Sequence, residues 1–276
     1  MISGFVVSHN RAEILETCLR SIRFVDELIV IDKSSSDHSP TIAKRYADRV
    51  VTQPWSPTAE ETRGLGLLEC KGDFIVFLDD DECFSPEAIR YLSNEGRAPS
   101  ADAYLIPVRQ HILGVHDERA YYWPARALRA FCKGSVKFNS TLHGGINILS
   151  HNIASPPFES GICYHNISHP DSHCWIGKTN FYTSIHNRAV LARQSDASLI
   201  DTARQSIEEY AARVPKDGDQ YLEAVAMLRA IYDIVDAIKA WEQREGINGQ
   251  QRFAEFCSEL QVSYDELQRK FGLRTC

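Results

Sequence analysis

Four consecutive acidic residues follow directly on an apolar run in the first third of the chain. The run is Phe74–Leu78 and the acids are Asp79–Glu82. A continuous apolar run of this length, flanked by Gly72 and Pro86, predicts a strand that is buried on both faces. Unpaired acids cannot continue into such a core, so we expect them at the carboxyl end of the strand, where open α/β sheets bind their ligands.

A dense set of carboxylates on a rigid edge suits a hard divalent cation. Mg²⁺ and Mn²⁺ prefer oxygen ligands, and proteins commonly hold them with one or two carboxylates together with the phosphates of a substrate. The alternative interpretation of Asp79–Glu82 is a solvated turn that caps a helix beginning near Pro86. The fully apolar run before the acids favours the cation site.

Strands and helices alternate in the sequence before these acids. We predict strands over Ile2–Val7, Leu28–Ile31 and Arg49–Thr52, and helices over Ala12–Ile22, Pro40–Ala47 and Thr58–Cys70. This alternation indicates βαβ units and a mostly parallel sheet flanked by helices. The loops after parallel strands share one rim of the sheet, so Ser8–Arg11, Asp32 and Asp79–Glu82 are expected to converge there.

The composition is that of an ordinary soluble globular protein, with 43% hydrophobic and 24% charged residues in a chain of 276. The net charge of −7 argues against a nucleic-acid partner. No apolar stretch approaches the roughly 20 residues of a membrane helix, and the first residues lack the features of a signal peptide. The 8 cysteines form no CxxC motif, which is typical of reduced thiols in a cytoplasmic protein.

Residues 2–92 resemble the donor half of a family-2 glycosyltransferase with the GT-A fold, a Rossmann-like nucleotide-sugar domain. The resemblance depends on the order and spacing of several motifs, which are Val7–Arg11, Val25–Asp32, Ser35–Asp37, Gln53–Trp55, Arg63 and Gly72–Glu82. The branch that the chain is most similar to is that of the lipopolysaccharide-core β-1,4-glucosyltransferases. The resemblance continues more loosely through His143 and Lys178–Tyr182, and residues beyond about 195 show no family signal.

This resemblance implies a donor site and a site for Mn²⁺ or Mg²⁺. The implied donor-binding residues are Ser8, Asn10, Arg11, Asp32, Arg63, Asp79, Asp80 and Lys178, and the implied metal ligands are Asp79, Asp81 and His143. Asn10 and Arg11 would line the nucleobase pocket, and Arg63 would face the diphosphate. Other interpretations remain for single residues, namely a surface arginine for Arg63, a capping turn for Asp32 and a hydrogen-bonded loop histidine for His143.

Two positions of the acceptor half depart from the family pattern. Ala125 stands where relatives usually have an acid after an aromatic-Pro pair, and Gly144 stands where they have a glutamate after histidine. The missing acid is the natural general base, because the acceptor hydroxyl must lose a proton. The base is therefore unassigned, and the candidates are Asp117, Glu118 and Glu82. A catalytically inactive nucleotide-sugar-binding module is the alternative function.

The segment Cys163–Cys174 is rich in cysteine and histidine. It raises the alternative of a zinc-stabilised interaction protein, although its spacing fits none of the usual structural zinc patterns. The resemblance favours His165 or His169 near the donor diphosphate instead. The aromatic cluster Tyr121–Pro124 suits either packing in the core or stacking on a sugar.

From Trp175 onward the sequence predicts helices, over Lys178–Gln194, Ile200–Val214, Gln220–Arg244 and Gln251–Phe271. Their apolar stripes predict core packing, and homo-oligomerisation, acceptor binding and peripheral membrane contact are the alternatives. The acidic balance of the chain weakens the membrane alternative.

Together these observations predict an α/β domain of the GT-A type over residues 1–174, followed by a helical region over 175–276. The donor half would span about residues 1–92 and the acceptor half about 93–174. The expected activity is metal-dependent, inverting transfer from a nucleotide sugar, with UDP as the expected nucleotide. The acceptor would be a cell-surface glycan or its lipid-linked precursor, in the cytoplasm or at the inner face of the membrane. A sugar-phosphate nucleotidyltransferase would need a Gly-rich basic loop, which Ser8–Arg11 is not.

Overall fold

The computed structural model describes residues 1–139, 145–190 and 198–271, and the side chains of all of these except 186–190. The strands are β1 (Ile2–Ser8), β2 (Glu27–Asp32), β3 (Arg49–Thr52), β4 (Phe74–Asp79), β5 (Glu82–Phe84), β6 (Ala103–Ile112), β7 (Arg126–Cys132), β8 (Val136–Phe138), β9 (Ile146–Ile148), β10 (Ile153–Ala154) and β11 (Tyr164–His169). The helices are α1 (Leu15–Ile22), α2 (Ser39–Tyr46), α3 (Glu60–Glu69), α4 (Pro86–Glu95), α5 (Ser172–Val190), α6 (Leu199–Ala211), α7 (Gln220–Arg244) and α8 (Gly249–Phe271).

The main sheet has the strand order β3-β2-β1-β4-β7-β6-β11-β5, and β10 also pairs with β6. Strands β1 to β4 run parallel, as predicted, whereas β7 and β5 run antiparallel to their neighbours. The parallel register places Ser8 beside Asp32 and Val7 beside Asp79. The carboxyl ends of β1, β2 and β4 therefore meet at one rim, which confirms the expected convergence of their loops.

Two apolar layers cover the faces of the parallel strands. On one face Val6, Val30 and Val76 pack in a cluster with the apolar sides of α1 and α4. On the other face Phe5 and Phe77 stack with ring centroids 5.4 Å apart, in a cluster that α3 helps to cover. Successive side chains of a strand point to opposite faces, so a strand buried on both sides must be apolar throughout.

The structure differs from the sequence prediction mainly around the rim. Helix α1 begins at Leu15 rather than Ala12, because the chain turns through Asn10, whose φ of 51° is left-handed. Strands β5 and β11 were not predicted, and β11 occupies the cysteine- and histidine-rich segment. Both strands are short and mix polar with apolar residues, so neither shows the periodicity that identifies a strand.

The chain divides into two compact units. The first unit comprises Met1–Lys178 and Glu208–Arg229, so it extends past the predicted boundary at residue 174. Within it, Leu222 and Val225 of α7 share an apolar cluster with Trp175 of α5.

The aromatic segment after β6 packs in the same region of the first unit. The hydroxyl oxygens of Tyr122 and Tyr221 lie 3.0 Å apart, and the rings of Tyr121 and Tyr210 lie 5.3 Å apart. Residues Glu208–Arg229 thus belong to the first unit because their apolar and aromatic side chains cover the loop after β6.

The second unit comprises Thr179–Ile207 and Ala230–Cys276. Within it, the ammonium of Lys239 in α7 donates to the Asn180 carbonyl at 2.6 Å and to Thr183 Oγ1 at 2.9 Å. Among the described residues, no helix combines the length and the hydrophobicity that crossing a membrane requires.

Candidate active site

The first part of the rim is a pair of loops that hydrogen-bond to each other. The Asn10 side-chain oxygen accepts from the Ser36 backbone N–H at 2.7 Å, and the Asn10 N–H donates to Ser35 Oγ at 3.0 Å. Asp32, which is buried, accepts from the Ser35 N–H at 3.2 Å. Asn10 therefore fixes the loops after β1 and β2 against each other, and Asp32 fixes the turn of the second loop. Ser8 lies beneath them with its hydroxyl buried and without a hydrogen-bond partner among the described residues.

Asp79 and Arg63 form a buried ion pair at the end of β4. Arg63 Nη2 lies 2.6 Å from Asp79 Oδ2, and the other Arg63 Nη lies 3.6 Å from Glu60. Burial raises the pKa of Asp79, but the charges of Arg63 and Arg129 outweigh this effect and hold the pKa below its usual value. Asp79 is therefore a carboxylate at neutral pH. Its second oxygen, Oδ1, is buried and has no hydrogen-bond partner among the described residues.

The next two acids share basic partners from distant parts of the chain. Arg11 lies 3.3 Å from Asp80 and 3.4 Å from Asp81, and Lys178 of α5 lies 3.2 Å from Asp81. The His9 backbone N–H also donates to Asp80 at 2.9 Å. Burial and the neighbouring charge of Asp81 raise the pKa of Asp80 to about 7, although Arg11 opposes the shift. The structure thus brings Arg11, Asp80, Asp81 and Lys178 together at this rim.

The carboxylates of this rim suit a divalent cation for which the protein supplies only some of the ligands. Asp79 has a buried oxygen without a hydrogen-bond partner among the described residues, and the pKa of Asp80 is raised by burial and by the neighbouring charge of Asp81. A cation would relieve both conditions. The described residues contain no group of three or more His, Cys, Asp or Glu side chains that could hold a metal by themselves. The predicted third ligand, His143, lies outside the described residues.

The family model described as Glycosyl transferase family 2 matches residues 3–152, more than half of the chain. The chain belongs to glycosyltransferase family 2. The matched range includes Arg11, Arg63 and Asp79–Glu82, and it also includes the predicted base candidates. The match therefore establishes the family of this chain.

Relatives of this glycosyltransferase match different shares of it. A TPR repeat-containing protein of Synechococcus elongatus is 32% identical over 106 residues, which cover 38% of this chain and only 26% of that protein. An uncharacterized glycosyltransferase of Rickettsia bellii is 24% identical over 216 residues, which cover 75% of this chain and 73% of that protein.

A solved structure shows that the glycosyltransferase has the predicted GT-A fold. It is the mannosyltransferase PcManGT from Pyrobaculum calidifontis, in complex with GDP-Man and Mn²⁺. The TM-score is 0.52 at 15% identity, and the match covers 87% of this chain and 86% of the other.

Of the three candidate bases in this glycosyltransferase, Glu82 is the most enclosed. Only 3% of it is exposed, and it forms a buried ion pair with Arg129 of β7. Its other oxygen accepts from the Asp79 N–H at 3.0 Å, so Glu82 also fixes the turn that presents the acids. Burial raises the pKa of Glu82 to about 7 against the opposing charge of Arg129.

The other two candidate bases lie in the loop after β6. Asp117 is held by Arg119, whose Nη2 and Nε lie 2.7 Å and 3.1 Å from its two oxygens. Glu118 has a side chain that is 58% exposed, and its nearest basic group is Arg109 at 3.4 Å. Glu118 is thus the most accessible carboxylate of the three.

The histidines of the Cys163–Cys174 segment lie in two different environments. His169 packs against Trp175 with ring centroids 4.6 Å apart, and burial together with the charge of Lys178 lowers the pKa of His169 to about 4. His165 Nδ1 lies 3.0 Å from His111 Nε2 on the neighbouring strand β6. The described residues offer no zinc site in this segment.

Two buried basic residues of the site were missed by sequence reasoning. Arg129 pairs with Glu82. The only indication of this role in the sequence is that Arg129 is a charged residue in the middle of the apolar run of β7. Lys33 is 7% exposed and donates to the carbonyls of Ser56 and Thr58 at 2.7 Å and 3.2 Å. It fixes the loop before α3, and a single lysine after a buried strand gives no indication of this role.

Proposed function

We propose that this glycosyltransferase transfers a sugar from a nucleotide-sugar donor, with help from a divalent cation and with inversion at the anomeric carbon. The supporting observation is the composition of the rim, where the acids Asp79 and Asp81 alternate with the bases Arg11, Arg63 and Lys178. A diphosphate with a bound cation has the same mixture of charges, so it complements such a rim.

Each rim residue then has a proposed role toward the donor. Asn10 and Asp32, with Ser8 beneath them, hold the nucleoside, and Arg63 and Lys178 bind the diphosphate. Asp81 and Asp79 would hold Mn²⁺ or Mg²⁺, with His143 as the proposed third ligand. When bound, the cation would supply positive charge next to the leaving nucleoside diphosphate. To reach the phosphates, Lys178 must give up part of its contact with Asp81, and a bound cation would then balance the charge of Asp81.

We propose Glu118 as the general base, because its carboxylate is the most accessible of the three candidates. It takes the proton of the acceptor hydroxyl as the oxygen attacks the anomeric carbon from the face opposite the diphosphate. The bond to the diphosphate breaks, and the basic side chains of the rim bind the charge that it acquires. Asp117 and Glu82 are engaged by Arg119 and Arg129 and have positioning roles in this scheme.

The proposed donor nucleotide is UDP, and the proposed acceptor is a cell-surface glycan or its lipid-linked precursor. Both follow from the resemblance to the lipopolysaccharide-core branch. The second candidate function is donor binding without transfer. The presence of Ala125 in place of an acid favours this function. The two candidates make the same prediction for binding and opposite predictions for turnover.

The deciding experiment is calorimetric binding of UDP- and GDP-sugars with and without Mn²⁺, combined with a measurement of nucleoside diphosphate release. We expect Mn²⁺-dependent binding of one donor, with at least about a 10-fold loss in Asp81→Ala because a charge-assisted contact is worth roughly 1.5–3 kcal/mol. Asp201→Ala, whose side chain is 69% exposed and pairs with Arg204, is the control and should bind normally. Binding without release would favour the inactive module, and absence of binding to every donor would refute the proposal.

A further inference from the structure

Helix α8 presents a continuous apolar stripe to solvent. None of its residues is buried, and its large apolar side chains are strongly exposed, including Phe253 at 73%, Phe271 at 60% and Leu267 at 46%. Exposed apolar patches of this extent on a folded protein mark interaction sites. The apolar seam, as we call this stripe, consists of Phe253, Cys257, Leu260, Tyr264, Leu267 and Phe271.

The spacing within the apolar seam is that of a coiled coil. Successive members are alternately four and three residues apart, which is the spacing of the two apolar positions of a heptad repeat. A helix that packs on the core of its own domain needs a wider apolar face than this two-position stripe. The seam is therefore suited to a partner that is itself a helix.

The positions that flank the seam suit an identical partner. On one side they are Ala254, Gln261 and Gln268, and on the other side they are Phe256, Ser263 and Lys270. In coiled coils these flanking positions select the partner through their charges. Only one of the six is charged, so two copies of this helix meet without like-charge repulsion along the seam.

The charged residues of α8 lie mainly on the side away from the seam and argue against a membrane surface as the partner. The acids are Glu255, Glu259, Asp265 and Glu266, and the bases are Arg252, Arg269 and Lys270. Helices that lie on a membrane surface are typically rich in Lys and Arg on the polar face. Here the acids outnumber the bases, which disfavours contact with anionic lipid.

We propose that α8 is a homodimerisation element, in which the apolar seams of two copies of this chain form a two-stranded coiled coil. The area is sufficient for a stable contact. Phe253, Tyr264 and Phe271 are partly exposed and can each bury roughly 100–150 Å² more, or about 750 Å² in the pair of helices. Leu260 and Leu267 bring the total to about 1,000 Å², the lower limit for a specific interface. The proposal does not depend on the donor or on the identity of the reaction.

The test is the mass of the full chain in solution, measured by light scattering and sedimentation over a range of concentrations. We expect a dimer, and we expect Leu267→Lys to weaken it roughly 100-fold, because two buried leucines are lost per dimer. The matched control is Val262→Lys, which makes a similar change in the same helix at a side chain that is 58% exposed and lies outside the seam. This control should dimerise like the wild type.

Several results would overturn the proposal. The wild-type chain must not stay monomeric at about 100 μM, and it must not form an assembly larger than a dimer. Leu267→Lys and Val262→Lys must not weaken the dimer equally. Binding of the monomer to vesicles of phosphatidylglycerol and phosphatidylethanolamine without dimerisation would also contradict it. Thermal unfolding and circular dichroism of each variant verify that the chain is folded. A second seam variant, Tyr264→Lys, must weaken the dimer as well.

Discussion

Four consecutive acids at the end of β4 have four different sets of partners. Asp79 is paired with Arg63, Asp80 with Arg11, Asp81 with Arg11 and Lys178, and Glu82 with Arg129. These bases come from a loop, two helices and a strand, and they allow a dense negative charge to exist at the edge of an apolar core. Buried carboxylates are tolerable only when they are paired in this way. All four carboxylates therefore help to hold the rim together. The side chain of Glu118, in the loop after β6, is by contrast 58% exposed.

At the residue scale we predict that Glu118→Gln lowers kcat by about 10²- to 10⁴-fold with little change in donor affinity, because it removes the proton acceptor and leaves the rim intact. Steady-state kinetics with the donor found by calorimetry, and with its acceptor, would measure this effect. The matched variant is Asp117→Asn in the adjacent residue, whose carboxylate is bound by Arg119. A severe loss in Asp117→Asn with normal activity in Glu118→Gln would show that the assignment is reversed.

Helix α3 positions Arg63 by lying unusually close to the sheet. A Cβ atom at Gly66 would come within 2.4 Å of the Phe5 ring in β1, so only glycine permits this approach. Two residues away along the helix, a Cβ atom at Gly64 would have no neighbour within 4 Å. The two glycines therefore separate the effect of close packing from the general cost of glycine in a helix.

At the element scale we predict that Gly66→Ala destabilises the protein by about 1–3 kcal/mol, because α3 and Phe5 must move apart. Donor affinity should fall as well, since the shift moves Arg63 away from Asp79. Gly64→Ala should instead stabilise the protein by about 0.5–1 kcal/mol, because alanine favours the helix and has space there. Urea denaturation of both variants would measure these changes. Equal stabilities of the two variants would contradict the packing argument.

The elements that position the rim could be predicted because each has a simple pattern. Strands β1, β2 and β4 are buried on both faces and consist mostly of apolar residues, so their carboxyl ends and the acids that follow could be placed from sequence. The partners of those acids have no such pattern, and only the family resemblance placed Arg63 and Lys178 at the same site as Arg11, while Arg129 was not placed at all. Arg129 and Lys178 reach the rim only because β7 runs antiparallel beside β4 and because α5 returns to Asp81, and neither contact leaves a local pattern in the sequence.

At the scale of the whole molecule, a cluster of partly buried histidines links stability to pH. His111, His116 and His165 lie close together, with ring centroids of 5.2 Å between His111 and His165 and 5.8 Å between His111 and His116. Burial lowers the pKa of all three, and the charge of Arg109 contributes in the same direction. The pKa of His165 falls to about 4. The folded chain therefore resists protonation of this cluster, whereas the unfolded chain does not.

We predict that the free energy of unfolding decreases as the pH falls from 7.5 to 5, and that His165→Asn reduces this loss. In the unfolded chain histidine has a pKa of about 6.5, so below that pH the unfolded state binds more protons than the folded state until the pH approaches the folded value. The reduction should be on the order of 1 kcal/mol, after allowance for the partial exposure of the ring.

For each protein, the free energy of unfolding at pH 5 is compared with its own value at pH 7.5. This comparison cancels the loss of the contact with His111, which affects His165→Asn at every pH. The exposed His151→Asn is the control and should retain the wild-type pH dependence. Parallel curves for His165→Asn and the wild type in urea denaturation would show that this histidine does not couple folding to pH.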